Sequence, residues 1–463
     1  MHPLLRTIEA QGLPRRAFLR NLLLTAGSIS AASALTACGS DGPRGNGVAR
    51  SRFADIGPLQ APDENGVSLP AGFTSRVVAV AGEQPLPASS PFEWIRDPDG
   101  AGVFALPDGG WIYIANSEVR DATSGGLVQP LQPIVSRENV AALGTGLRGG
   151  VGALRFAADG TLVDAYRVLE NTTTNCSGVA TPWGTWLSGE EITDGYVFEC
   201  DPLGGNVAGR RLDIFGRKGH EQFAIDVDHR TIYHTEDFGG DDRFYRNVFS
   251  EADWPRGQRP QLEDGVLQVL VVEGGIAAAR QGPAPIRWVD AVNDGRPQRQ
   301  VYSDETTVFA GNEGCWFLDG FVFFSTKSDD NIWAIDTVGQ TVESIYSPQA
   351  QPDGSPVDPD EPALFGVDNL LMTDDGDIVC VEDGGDMRAM VLMPDGVTIP
   401  LLRLPDNTVR GSEVSGPAFS PDGRRFYCSS MRCGRNGGRG TGITYEITMP
   451  FAVRVSPPMA GIS

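Results

Sequence analysis

Several stretches of the chain share one form: a tight turn, an apolar or alternating strand of about five residues, then polar or acidic residues where the strand stops. Asp374-Asp375-Gly376-Asp377-Ile378-Val379-Cys380-Val381-Glu382-Asp383 is one example, and residues 107–118, 229–237, 318–326 and 420–430 follow the same plan. A unit this short cannot bury its own apolar face, so copies must stack on one another. The spacing between copies is irregular, which fits blades carrying inserted loops. An all-β, six-bladed β-propeller is the expected fold, because it gathers equivalent strand ends around one central channel.

Charge narrows the function. Sixty acidic side chains face 37 basic ones across 463 residues, a formal net charge of −23. A surface this negative repels phosphate backbones, so no nucleic-acid partner is expected, whereas cations are natural partners. The 40% hydrophobic content supplies a real core and excludes wholesale disorder.

Residues 1–38 read as an export signal. Arg15-Arg16-Ala17-Phe18-Leu19-Arg20 is a twin-arginine motif, and the apolar stretch that follows is too short for a stable membrane span. Leu35-Thr36-Ala37-Cys38 has the form of a lipoprotein processing box, with Cys38 as the lipidated residue. Residues 39–51 form an expected flexible tether, and 52–463 an expected single propeller domain. The reading is therefore of a protein exported by the twin-arginine machinery to the periplasm or cell surface. It meets the membrane only through its lipid, and is a monomer.

Chemistry concentrates in a few segments. Residues 171–191 place Cys176 in a polar loop flanked by glycine, then Trp183 and Trp186, then the pair Glu190-Glu191. Glu221 follows His220; Glu236-Asp237 and Glu382-Asp383 end strands; Glu313 and Glu413 stand in loops of small residues. Adjacent strand residues point to opposite faces, so both members of an acidic pair reach one ligand only if the strand has ended. Singly, each acid also fits an ordinary turn. Together at one channel mouth they would repel one another strongly unless cations neutralised them. Carboxylates suit calcium, and one thiolate among them suits a transition metal such as iron. No dinucleotide-binding glycine fingerprint, Walker loop or H-E-x-x-H appears. Cys428 and Cys433 are the expected disulfide pair.

As a set, these segments resemble the PhoX-type alkaline phosphatases, from about residue 69 to 447. The resemblance rests on Asn175-Cys176-Ser177-Gly178, Thr181-Pro182-Trp183-Gly184-Thr185-Trp186-Leu187 and Glu190-Glu191, with support from His220-Glu221, Thr235-Glu236-Asp237, Asp368-Asn369-Leu370, Glu382-Asp383-Gly384 and Glu413-Val414-Ser415-Gly416-Pro417. It implies a six-bladed propeller holding two iron ions and calcium ions, acting on small phosphate monoesters. Carried over by position, Cys176, Glu221 and Glu313 would be the catalytic iron ligands. Glu190, Glu191, Glu236, Asp237, Glu382 and Asp383 would be calcium or bridging carboxylates. The chain departs from the family where an Arg-Pro-Glu run is replaced by Gly311-Asn312-Glu313, removing an arginine suited to clamp phosphate. Arg388 or Arg410 would have to supply that charge. Competing readings are a related hydrolase with another substrate, such as a diesterase or lactonase, and a non-catalytic binding propeller.

Overall fold

The β-rich pattern of turns and short strands produces antiparallel meanders. The computed structural model describes residues 51–119, 149–237, 239–348, 363–407, 411–434 and 442–455. The expected export signal lies outside these residues, as does the tether apart from Ser51. Three sheets are simple four-strand meanders that each begin at the centre of the molecule and run outward. The first consists of Pro98–Ala105, Trp111–Ser117, Gly150–Phe156 and Leu162–Leu169. The second consists of Asn175–Ala180, Trp186–Glu190, Val197–Cys200 and Arg210–Leu212, and the third of Val367–Met372, Ile378–Glu382, Arg388–Leu392 and Thr398–Arg403. A fourth sheet orders Val414–Phe419, Arg425–Ser430 and Ile443–Thr448, and takes Thr74–Val80 as its outer strand.

A nine-stranded sheet joins two further meanders by their outer edges. One starts at His220–Asp226 and the other at Asn312–Leu318. The strand Ala284–Asp290 links them, pairing along most of its length with Val266–Val272 but only through Ala284 and Pro285 with Thr341–Tyr346. The starting strands pack side by side in a closed ring, in the order Pro98–Ala105, Asn175–Ala180, His220–Asp226, Asn312–Leu318, Val367–Met372, Val414–Phe419 and back to Pro98–Ala105. This is an all-β propeller-like architecture, as the repeated sequence unit requires.

Aromatic and aliphatic side chains fill the space between meanders. Tyr113 packs on Tyr427 with ring centroids 5.0 Å apart, and Phe156 meets the same Tyr427 ring at 5.6 Å. Each such ring removed from water contributes on the order of 1.5–3 kcal/mol, so the joins between sheets are strong. The expected Cys428–Cys433 disulfide is not formed; both thiols are free. Cys428 faces the apolar core between sheets, while the Cys433 sulfur lies 3.7 Å from the Asp406 carbonyl.

One irregularity recurs in every central strand. The antiparallel register slips between Pro98 and Ala101, Asn175 and Gly178, His220 and Phe223, Asn312 and Cys315, Val367 and Leu370, and Ser415 and Ala418. At each slip two residues of the central strand oppose one residue of its neighbour, which is a β-bulge. Bulges re-aim side chains and are frequent beside active sites.

Candidate metal centre

The bulges turn the first extra residue of each central strand toward the channel. In ring order these residues are Asp99, Cys176, Glu221, Glu313, Asp368 and Gly416. Five carry a metal-binding atom, and in the sixth position Glu413, just before its strand, joins the group. Small residues permit the crowding. A Cβ on Gly100 would lie 2.6 Å from the Ser177 Cα, and one on Gly314 2.6 Å from the Asp368 carbonyl oxygen. Gln222, the second bulge residue of its strand, ties three walls together. Its Oε1 accepts from Cys315 N at 3.2 Å and Leu370 N at 3.3 Å, and its Nε2 donates to the Leu370 carbonyl at 3.0 Å.

A second tier comes from the residues that follow the neighbouring strands. Glu118, Glu191, Asp237, Lys327 and Asp383 each stand one residue past the strand end paired with the start of a central strand. In the last sheet Arg432 stands two residues past Ser430. Ligand atoms of Glu118, Cys176 and Glu191 lie within 4.8 Å of one another, as do those of Asp99, Glu118 and Glu413. The Cys176 thiol donates to Asp99 Oδ2 at 2.9 Å.

Electrostatically the group is incomplete as protein alone. Burial raises the Glu221 carboxyl well above its usual range, and Glu313, Glu191, Asp368 and Asp99 raise it further. Burial likewise raises Asp99, followed by Glu413 and Glu118; it raises Asp368, followed by Glu313, and Glu413, followed by Asp383 and Asp368. The Cys176 thiol is pushed up by burial and then by Asp99, Glu221, Glu191 and Glu118. Asp99 Oδ1 and Glu221 Oε2 are buried with no hydrogen-bond partner. Unsatisfied buried oxygens beside a thiol, crowded by like charge, are a donor set that cations complete. Hard oxygens fit calcium, and the sulfur fits iron or a similar metal.

Of the residues expected from sequence, Cys176, Glu191, Glu221 and Glu313 lie in this buried cluster, and Asp237 and Asp383 stand at its mouth. Glu190, Glu236 and Glu382 are directed into the walls instead. Glu190 accepts from the backbone of Thr173 and Tyr196, each at 3.1 Å. Glu236 accepts from Tyr302 at 2.7 Å and Tyr245 at 2.9 Å. Glu382 is gripped by Arg388 through Nε at 3.0 Å and Nη2 at 2.7 Å. In each acidic pair the strand's last residue braces the wall and the next one faces the channel, as alternation demands.

The same pairing removes Arg388 as a substitute for the arginine missing at Gly311, while Arg410 lies outside the described residues. The guanidinium that reaches the cluster is that of Arg432, bonded to Glu118 and 3.9 Å from Asp97 Oδ2. Gly311 itself has φ +68° and donates to Asp242 Oδ2 at 2.5 Å, so a glycine closes a turn that the Asp242 carboxylate holds.

Asp99, Lys327 and Arg432 escaped the sequence reading, and Glu118, Asp368 and Glu413 were visible without an assigned metal role. Asp99-Gly100 looks like one more Asp-Gly turn, and Lys327 directly follows the segment 318–326. The usable signal was positional: each stands where other copies of the repeat place an acid or a thiol.

Residues 136–316 match the family model described as alkaline phosphatase PhoX. The chain is similar in structure to Pseudomonas fluorescens PhoX in complex with vanadate, a transition state analogue, with a TM-score of 0.65 and 16% identity over 85% of this chain and 97% of that one. A protein of unknown function from Bacteroides thetaiotaomicron follows at TM-score 0.42 and 11% identity, over 86% of this chain and 84% of that one. The calcium-binding protein regucalcin from Agrobacterium tumefaciens gives TM-score 0.36 and 11% identity, covering 84% and 97% of the two chains. No curated protein matches the chain.

Proposed function

We propose, for a chain whose residues 136–316 match the alkaline phosphatase PhoX family, that the channel mouth hydrolyses small phosphoric esters with bound cations as cofactors. The observation that carries this reading is the convergence of Asp99, Cys176, Glu191, Glu221, Glu313, Asp368 and Glu413, with two buried oxygens left unpartnered. Iron held by the Cys176 sulfur and calcium held by the carboxylates are the cations this donor set favours. Counting the two halves of the nine-stranded sheet as separate blades supports a six-bladed propeller.

Bound cations would polarise the phosphoryl oxygens and offset the charge that builds on them during transfer. The protein's own part is placement. Asp99, Cys176, Glu221, Glu313 and Asp368 hold their donor atoms on bulges that rigid strands fix from both sides. Gln222 ties three of those strands together through its bonds to Cys315 and Leu370. Arg432, partly exposed at the mouth, offers planar N–H donors to an incoming phosphate, taking over the role that Gly311 cannot fill. Export through the twin-arginine route, lipid attachment at Cys38, a periplasmic or cell-surface location and a monomeric state belong to the same proposal and rest on the sequence of residues 1–38.

The test is hydrolysis of p-nitrophenyl phosphate by the purified full chain, with elemental analysis of the same sample. Turnover that disappears on chelation and returns with calcium and iron is the expected result. A fully metallated protein that neither turns over this ester nor binds phosphate would overturn the reading.

A further inference from the structure

Around the second tier the successive sheets contribute Glu118, Glu191, Asp237, Lys327, Asp383 and Arg432. Lys327 therefore occupies a position at which its neighbours on both sides supply carboxylates. Its Nζ lies 2.5 Å from Glu313 Oε1 in the tier below, 3.0 Å from Asp383 Oδ2 on one side and 4.0 Å from Asp237 Oδ2 on the other. Three acids from three meanders thus meet on one ammonium. On the side of Cys176 the ligand atoms of Glu118, Cys176 and Glu191 close on one another, Arg432 reaches Glu118 from the mouth, and Glu221 Oε2, deeper in, has no hydrogen-bond partner.

We propose that the Lys327 ammonium is a built-in replacement for a divalent cation, holding Glu313 Oε1, Asp237 and Asp383 so that metal ions load only on the side of Cys176, where the other Glu313 oxygen remains for them. The inference rests on the metal-dependent reading of the site and goes beyond it by stating where an ion does not bind. A compact ammonium with three donors suits this role, since it can point one N–H at each of several carboxylates. Burial alone would lower the pKa of this amine, but Glu313, Asp383 and Asp237 outweigh it and hold the group charged well above its ordinary value. The backbone is arranged to keep it there: Lys327 N donates to the Gly311 carbonyl at 2.7 Å, and Gly311 is pinned by Asp242. A lysine held by three acids is also a poor phosphate clamp.

The experiment counts calcium and iron per chain after dialysis of wild type, Lys327→Arg and Lys327→Asp against both metals, with melting curves in calcium and in chelator. Wild type and Lys327→Arg are expected to bind equal numbers of ions, and Lys327→Asp one divalent ion more. If Lys327→Asp does not fold, Lys327→Met serves in its place: its melting temperature should rise with calcium by several degrees more than that of wild type. Equal, non-zero ion counts in wild type and a folded Lys327→Asp, or equal calcium shifts in wild type and Lys327→Met, would overturn the assignment to Lys327 alone. A wild-type protein that binds no metal would instead overturn the metal-dependent reading and this inference with it.

Discussion

Arg388 holds both carboxylate oxygens of Glu382, with Nε to Oε2 at 3.0 Å and Nη2 to Oε1 at 2.7 Å, and both side chains are buried. This pair shapes the wall from which Asp383, the next residue, turns into the channel mouth. Breaking a buried pair by removing one partner costs about 3–5 kcal/mol, because the other charge is left uncompensated. Arg388→Met is therefore expected to lower the melting temperature markedly while the folded fraction keeps its full complement of metal. Loss of metal without loss of stability in that variant would contradict a bracing role for Glu382.

Cys176 is expected to behave in the opposite way. Cys176→Ala removes the one sulfur from a crowd of acids, so iron should fall by more than about tenfold. Calcium should remain and the fold should persist. Elemental analysis of wild type and variant decides the matter, and full iron retention would exclude the thiolate as its ligand.

Gln222 bridges strands that hold Glu221, Glu313 and Asp368, and Gln222→Ala leaves the Cys315 and Leu370 amides without its oxygen. An unsatisfied buried donor costs about 1–3 kcal/mol. A calcium titration of the folded variant should show affinity lowered by about 10–100-fold, the usual effect of losing a group that orients ligands. Unchanged affinity would show that the walls keep their spacing without the glutamine.

Gly311 tests whether the missing arginine can simply be restored. A Cβ there would lie 2.9 Å from Ser328 Oγ and 3.0 Å from Ser328 N, at a φ of +68°. Gly311→Ala should lose about 1–3 kcal/mol in denaturant unfolding. Gly311→Arg should lose at least as much and gain no turnover. A stable arginine variant with raised activity would show that the turn tolerates a side chain after all.

Asp377 gives a pH dependence away from the channel. Burial pushes its carboxyl up to about 6, against hydrogen bonds from Ser51 and Thr373. The folded value stands above the unfolded one, so the contribution to stability is fully present below about pH 4 and is lost as pH rises through 6. Asp377→Asn should thus be more stable than wild type at pH 7.5, by up to about 3 kcal/mol. The gap should close near pH 4. Melting curves across that range check the sign, and a gap that does not change with pH would refute it.

Much of the architecture could be read from the chain, because turn residues and apolar strands recur and radial stacking is the economical way to bury them. Cys176, Glu221 and Glu313 were readable for a related reason: small or polar neighbours mark them as loop-like residues among strands. The acidic pairs were harder. A single step along the backbone decides whether Glu382 or Asp383 faces the channel, and the bulges that set this phase depend on pairing with a distant strand. Asp99 was hidden because Asp-Gly has two uses, a turn and a close approach of strands. Lys327 was hidden because a basic residue among acids looks like solvated surface until three carboxylates from separate meanders are seen to surround it.

The strand Thr74–Val80 lies along Ile443–Thr448, so segments about as remote as the described sequence allows are zipped into one sheet. That clasp bears on how the centre can be loaded. Asp99 and Glu413 belong to sheets on either side of the final seam, and they come within reach of a common ion only once the circle is shut. An ion bridging them would in turn act as a rivet across the seam, making circle closure and cation uptake a single cooperative event.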